Sequence, residues 1–128
     1  MDEMIRLLVA LDPEDPEVLP LLERLILAGY AISLAWDRQR ALGKFGASPH
    51  HLVITDDRGD RGTPLLRAIQ DLAPGLPALL LRNEGTAPLA TAQEGNVPPA
   101  CTVAPRTISP ADLLVLVESI CQRTTRER

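Results

Sequence analysis

The stretch that decides the fold is HHLVITDDRGDRGTPLL, residues 50–66. Its apolar run, Leu52–Ile54, is followed by Thr55 and then by Asp56 and Asp57. A short, continuous apolar run is typical of a strand buried on both faces, and the later Thr-Pro pair is typical of a helix start. The stretch therefore predicts a strand, a polar loop and a helix. Asp56 is either a reactive carboxylate presented at the strand end or a polar residue that closes the strand.

Strand and helix patterns alternate five times along the chain. The weak part is 83–100, where three prolines and two glycines leave room for one short helix near 88–94 at best. The fourth helix is therefore expected to be degenerate. The predicted strands span residues 5–11, 30–36, 51–55, 78–81 and 101–104.

The sequence predicts two alternative starts for the first helix. Asp15 and Pro16 are typical of a cap and a first helical position. Pro20 is awkward inside a helix because it lacks a backbone donor, so the helix has either an irregular first turn or a start nearer Leu19. Its apolar stripe is predicted to be Val18, Leu19, Leu22, Leu25 and Ile26.

The other helices have clearer starts. Asp37 is predicted to cap the second helix, and Thr63 to begin the third. Ser109 and Asp112 form a capping box for the last helix, which is expected to run to about Arg123. The predicted buried stripes are Leu65, Leu66, Ile69 and Leu72 in the third helix, and Leu113, Leu116, Val117 and Ile120 in the last.

Composition excludes several classes of function. The length of 128 residues fits one domain, and no apolar stretch reaches the roughly 20 residues that span a bilayer. A net charge of -4 and an aromatic content of 2% argue against direct nucleic-acid binding, because phosphate contacts need cations and base stacking needs rings. The N-terminus lacks a signal-peptide pattern, so a cytoplasmic location is expected.

Five residues whose side chains could react, bind a metal or stack on a ligand are expected to play structural roles instead. Cys101 and Cys121 do not have the spacing of a zinc site and are interpreted as small apolar fillers. His50 and His51 are expected at the surface, in the turn before the third strand. Trp36 ends the second strand and is expected to pack rather than to bind a ligand.

The alternation predicts an α/β fold with a single doubly wound parallel sheet of the flavodoxin-like type, in the strand order 2-1-3-4-5. Ligands of such sheets bind at the carboxyl ends of the strands where the order reverses, here between strands one and three. Asp12 and Asp56 leave these strands and should converge there, near Glu14, Asp15 and Asp57. Clustered carboxylates at such an edge can hold a magnesium ion.

At this point the chain resembles the receiver domain of two-component response regulators. The resemblance covers residues 4–123 and leaves 124–128 as a polar C-terminal tail. It implies the same flavodoxin-like, receiver-like fold. The stretches that carry it are DPEVLPLLERLILAGYAISLAWD (15–37), HHLVITD (50–56), LLRAIQDLAPGLPALLL (65–81) and SPADLLVLVESI (109–120).

The resemblance implies a set of site residues. In that family a histidine kinase passes a phosphoryl group to an aspartate, and two acids after the first strand hold magnesium. By position, the acceptor falls on Asp56, and weak magnesium binding falls on Asp12 and Asp56 with Glu14 or Asp15. The family's phosphoryl-binding Ser or Thr, its switch aromatic and its Lys are replaced here by Arg82, Thr102 and Ala104.

These departures shape the functional expectation. We expect an atypical receiver, or pseudo-receiver, that acts in signal transduction through protein–protein contacts and is not an enzyme beyond autophosphatase character. The alternative is a phosphorylatable receiver that accepts a phosphoryl group at Asp56 with magnesium. A flavodoxin-like domain for a small ligand is disfavoured, because no glycine-rich phosphate loop follows the first strand.

The expected partners are signalling proteins, either a histidine kinase or an effector, with no membrane contact. They are expected to bind the face formed by the last helix, the last strand and 83–100, where a homodimer can also form. Arg82 is further predicted to pair with Asp56, Asp57 or Asp12, because an arginine can fork onto a carboxylate.

Overall fold

The computed structural model describes residues 5–57, 62–82, 101–105 and 107–126. Five parallel strands form one sheet in the order β2-β1-β3-β4-β5, which confirms the predicted topology. The strands are β1 (Arg6–Ala10), β2 (Ala31–Ala35), β3 (Leu52–Asp56), β4 (Ala78–Arg82) and β5 (Cys101–Pro105), and the helices are α1 (Leu19–Leu27), α2 (Arg38–Ala47), α3 (Thr63–Leu72) and α4 (Pro110–Arg126).

The sheet has an apolar core on each face because side chains alternate along every strand. In β1, Leu7 and Val9 lie in one buried cluster, and Leu8 and Ala10 lie in the other. The first cluster includes residues of α1 and α4, and the second includes residues of α2 and α3. The central strands are therefore covered on both sides, as their continuous apolar runs predicted.

Helix α1 begins at Leu19, which is the later of the two predicted starts. Pro20 is tolerated because it lies in the first turn, where a backbone N–H has no partner inside the helix. In this helix Leu21 is buried, whereas Leu19 and Ile26 are 48% and 57% exposed. The prediction that Leu19 and Ile26 belong to the buried stripe is therefore wrong.

The predicted caps of the second and last helices are confirmed. The Asp37 carboxylate accepts a hydrogen bond from the Arg40 backbone N–H at 2.8 Å, and the Ser109 hydroxyl accepts one from the Asp112 N–H at 3.1 Å. Helix α4 continues past its predicted end to Arg126. In α3, Leu72 is 64% exposed, so its predicted burial is wrong.

The degenerate helix expected near 88–94 lies outside the described residues. Among the helices that the structure describes, none is long and apolar enough to cross a membrane.

Candidate functional site

The candidate site lies at the carboxyl edge of the sheet, at the point where the strand order reverses. β1 and β3 are parallel neighbours, with Ala10 in register with Thr55. Asp56, the last residue of β3, is in register with Leu81 of β4, which in turn is in register with Ala104 of β5. Residues in register share one face of a sheet, so Asp56, Leu81 and Ala104 lie on the face covered by α1 and α4.

The end of β3 is buried completely. Asp56 and Thr55 each have 0% of their surface exposed. The Thr55 hydroxyl donates a hydrogen bond to the Ala10 carbonyl oxygen at 3.0 Å, and it accepts one from the Gly62 backbone N–H at 3.4 Å. One side chain therefore ties β3 both to β1 and to the end of the following loop. The strand end that was predicted to present a carboxylate is enclosed by protein.

Gly62 closes the loop against this strand end. Its φ of +82° and ψ of -139° are close to a region of backbone conformation that only glycine adopts readily. A Cβ atom at this position would lie 3.0 Å from the Asp56 carbonyl oxygen and 3.1 Å from the Asp57 Cα atom. Sequence reasoning did not single out Gly62, although a glycine directly before a Thr-Pro helix start was a usable signal.

The acids after β1 are engaged in turns of their own loop. The Asp12 carboxylate accepts a hydrogen bond from the Glu14 N–H at 2.9 Å, and the Asp15 carboxylate accepts one from the Glu17 N–H at 2.9 Å. Asp12 and Asp15 are half-buried, and Glu14 is exposed. These hydrogen bonds are typical of aspartates that stabilise turns.

The acids at this edge form no cluster of three among the described residues. Within 5–57, 62–82, 101–105 and 107–126, no group of three or more acidic, histidine or cysteine side chains is placed to hold a metal ion. Magnesium requires near-octahedral oxygen ligands. Among the described residues, no three of the acids predicted to bind magnesium are close enough to share one ion. These acids are Asp12, Glu14, Asp15 and Asp56.

The positions that replace the family's phosphoryl-binding groups are only partly accessible. Ala104 is 6% exposed and belongs to the apolar cluster beneath α1 and α4, and Thr102 is half-buried. The Nε atom of Arg82 is buried and has no hydrogen-bond partner among the described residues. Among the described residues, no ion pair joins Arg82 to Asp12, Asp56 or Asp57, so the predicted pairing is not found there.

Trp36 lies at the same edge, beyond the end of β2. It is 46% exposed, so only part of this side chain is packed against other residues. The Arg40 guanidinium lies over the indole ring, 4.6 Å from its centroid, and forms an ion pair with Asp37. An open pocket of about 370 Å³ lies beside Trp36. Its other described lining residues are Asp12, Pro13 and Glu14, which follow β1.

His50 is buried at the opposite edge of the sheet. Only 7% of it is exposed, which corrects the expectation that it is a surface residue. Its Nε2 atom is 2.9 Å from the Ser33 hydroxyl, and its ring stacks on Phe45 with centroids 5.8 Å apart. Burial lowers the pKa of His50 below its ordinary value of 6.5, and the charge of Arg6 lowers it further.

His51 and the two cysteines have structural environments. The Nδ1 atom of His51 accepts a hydrogen bond from the Arg6 backbone N–H at 3.0 Å. Cys121 is buried, and burial raises the pKa of the Cys101 thiol to about 11. A thiol with a raised pKa is a poor nucleophile, which agrees with the interpretation of these cysteines as apolar fillers.

Comparison with known proteins reveals the fold but no sequence family. No protein-family model matches the chain, and no curated protein sequence matches it. Solved structures of response regulator receiver domains match it along nearly its whole length. A CheY-like receiver domain protein from Methanospirillum hungatei JF-1 superposes with a TM-score of 0.78 at 22% identity, covering 98% of this chain and 100% of that one.

Two further structures extend the comparison. The chemotaxis response regulator CheY4 of Vibrio cholerae has a TM-score of 0.77 at 24% identity, covering 92% of this chain and 99% of that one. NtrX from Brucella abortus matches with a TM-score of 0.78 at 22% identity, covering 98% of this chain and 29% of that longer one. The chain therefore has the flavodoxin-like fold of CheY-like receiver domains, as the sequence predicted.

Proposed function

We propose that this chain, which has the fold of response regulator receiver domains, is an atypical receiver that works in signal transduction through protein–protein contacts. The observation that carries the proposal is the make-up of the carboxyl edge. The acceptor position, Asp56, is fully buried, and the neighbouring strands supply Arg82 and a buried Ala104 where the family has a hydroxyl and a lysine.

The chemistry of phosphoryl transfer supports this proposal. A phosphoryl group carries about two negative charges, and its transfer depends on cations and hydrogen-bond donors held in place before the reaction. Ala104 offers neither a charge nor a donor. Arg82 offers a charge, but it lacks the small hydroxyl that would report a new phosphoryl group to the rest of the domain. Phosphorylation of Asp56 is therefore expected to be slow and poorly coupled to any change of shape.

The proposed partners are other signalling proteins, either a histidine kinase or an effector. We place the contact on α4 and β5, where Val115 is 66% exposed on the helix surface. A homodimer through the same face would use the same residues. We propose a cytoplasmic, non-enzymatic module that binds neither nucleic acid nor membrane.

The deciding experiment is an NMR titration with beryllofluoride and magnesium, because beryllofluoride imitates a phosphoryl group on an aspartate. We expect no saturable shifts at Asp56, Arg82 or Ala104 in the natural chain. The double variant Arg82→Thr/Ala104→Lys restores the missing hydroxyl and ammonium, and we expect it to gain saturable shifts around Asp56. The matched control adds Asp56→Asn to this double variant and should abolish the gain.

The same titration tests the alternative function. A phosphorylatable receiver would bind beryllofluoride without any substitution, with magnesium held by Asp12 and Asp56 and by Glu14 or Asp15. Saturable shifts in the natural chain that disappear in Asp56→Asn would establish this alternative and overturn our proposal. Titration with magnesium alone shows whether the acids at this edge bind the ion.

A further inference from the structure

The pocket beside Trp36 is an open cavity at the carboxyl edge of the sheet. Its described lining residues are Asp12, Pro13, Glu14 and Trp36, which belong to the segments that follow β1 and β2. Its volume of about 370 Å³ lies in the range of small-ligand sites. Asp56 is fully buried at the end of the next strand. Asp56 is not among the described residues that line the pocket.

Two carboxylates give the pocket its charge. Glu14 is exposed and Asp12 is half-buried. Within the part of the chain that the structure describes, neither residue forms an ion pair. The hydrogen bond from the Glu14 N–H to the Asp12 carboxylate holds both residues on one short turn. The wall next to the indole is therefore negative, and its two carboxylates have no ion-pair partner among the described residues.

The indole of Trp36 already binds a cation of this chain. The Arg40 guanidinium lies 4.6 Å from the ring centroid, within the distance of about 6 Å at which a cation is attracted to an aromatic face. Asp37 supplies the carboxylate that pairs with this guanidinium. At this ring, a guanidinium contacts the indole and pairs with a nearby carboxylate. The pocket places two other carboxylates, Asp12 and Glu14, beside the same indole.

From these observations we propose that the pocket binds a guanidinium group from outside the chain. The planar guanidinium would lie against the exposed part of Trp36 and donate hydrogen bonds to the carboxylates of Asp12 and Glu14. A guanidinium suits this site better than an ammonium, because it stacks on rings, forks onto carboxylates and is less strongly hydrated. The group is either an arginine side chain of a partner protein or a small guanidinium compound. The proposal does not depend on the proposed signalling function.

The first test uses Trp36 as its own reporter, since the chain contains one tryptophan. Arginine amide should change the fluorescence of Trp36 saturably with a Kd of roughly 10 to 200 mM, the range expected when one exposed cation–π contact and two exposed ion pairs cooperate. Citrulline amide has nearly the same shape and keeps the α-ammonium group but lacks the guanidinium charge, so it should have no saturable effect. Lysine amide should bind about threefold more weakly than arginine amide. NMR shifts of the Asp12 and Glu14 amides should follow the same arginine amide curve.

Variants connect the signal to the carboxylates. Glu14→Gln should weaken the binding of arginine amide by about twofold to fivefold, the usual strength of an exposed ion pair. Asp12→Asn/Glu14→Gln should weaken it by about tenfold, while the amide introduced by Asp12→Asn keeps an oxygen that can accept the turn hydrogen bond. Glu23→Gln removes an exposed acid on α1 and is the matched control, for which no change is expected.

A peptide distinguishes the two sources of the guanidinium. If acetyl-Gly-Gly-Arg-Gly-Gly-amide binds at least tenfold more tightly than arginine amide, the natural ligand is an arginine on a protein chain. Equal binding of the two probes indicates a small guanidinium compound. The proposal is overturned if arginine amide and citrulline amide give the same response, or if Glu14→Gln and Glu23→Gln weaken binding equally.

Discussion

Replacing Gly62 by alanine is the most direct test of how the candidate site is closed. Gly62 ends the loop that follows β3 and sits over the backbone of Asp56 and Asp57. Its N–H also donates to the buried Thr55 hydroxyl. A Cβ atom at this position would therefore disturb both the backbone of the strand end and its hydrogen bond to the loop.

The expected cost has two parts. The conformation with φ +82° and ψ -139° costs a residue with a side chain roughly 1–3 kcal/mol. The added Cβ would approach the Asp56 oxygen to 3.0 Å and the Asp57 Cα to 3.1 Å. Both atoms belong to backbone next to a packed strand, so relieving the overlap should cost roughly another 1–3 kcal/mol. We expect Gly62→Ala to lower the free energy of unfolding by about 3 kcal/mol.

Substitutions at two other glycines distinguish the conformational cost from the cost of the steric overlap. Gly75 has φ +89°, but a Cβ atom added there would have no neighbouring atom within 4 Å, so Gly75→Ala carries the conformational cost alone, about 1 kcal/mol. Gly43 lies inside α2 with open space around it, and Gly43→Ala should stabilise the protein by about 0.5–1 kcal/mol. Urea unfolding followed by circular dichroism measures all three variants.

The loss of stability in Gly62→Ala tests whether Gly62 lies against the end of β3. In a thermal melt it should lower the midpoint by roughly 12 °C, taking roughly 4 °C for each kcal/mol. NMR shifts of the folded variant should be largest at Asp56 and Asp57. Equal destabilisation by Gly62→Ala and Gly75→Ala would refute the contact of Gly62 with the strand end, because both variants would then carry only the cost of a positive φ.

Three further predictions concern stability. The lowered pKa of His50 means that the unfolded chain takes up a proton at a higher pH than the folded one, so stability is fully present above about pH 6.5 and falls as the pH drops below that value toward the folded-state pKa. Urea unfolding at about pH 7.5 and 5.5 should show a smaller loss in His50→Gln than in the natural chain, and an equal loss would contradict this reasoning. Thr55→Val removes the hydroxyl that bonds to Ala10 and should cost about 1 kcal/mol or more, since the Gly62 N–H also loses its acceptor. Thr55→Ser keeps the hydroxyl and is its control; a larger loss of stability in the serine variant would show that the methyl group matters more than the hydrogen bond. Asp37→Ala removes the cap of α2 and should cost about 1 kcal/mol, whereas Asp37→Asn should retain most of the stability; equal losses in a thermal melt would assign the effect to the ion pair with Arg40 instead.

The sequence alone was sufficient to predict the order and type of the elements. Continuous apolar runs identified β1 and β3 as strands buried on both faces, and their alternation with helices led to the order of the sheet. The caps at Asp37 and Ser109 were also predicted correctly, because a capping hydrogen bond joins residues only three apart. Periodicity and capping hydrogen bonds involve residues close together in the sequence, so the sequence alone predicts them.

The tertiary structure decided which side chains of the predicted elements are enclosed. His50 is buried because it lies between Phe45 and Ser33, and Trp36 is exposed beside a pocket that combines the segments after β1 and β2. Leu19 and Ile26 are exposed because the buried face of α1 is the one that carries Leu21, Leu22 and Leu25. Neighbouring residues of a helix are about 100° apart, and periodicity alone does not fix which edge of an apolar face meets the core.

The chemistry of the carboxyl edge also required three dimensions. The sequence placed Asp12, Asp56 and Arg82 at neighbouring strand ends, and parallel pairing brought those ends to one edge. It could not show that Asp56 is fully enclosed or that the buried Arg82 Nε lacks a partner within the described part of the chain. Burial and pairing depend on contacts between residues far apart in the chain, and those contacts exist only after the sheet and its helices have packed together.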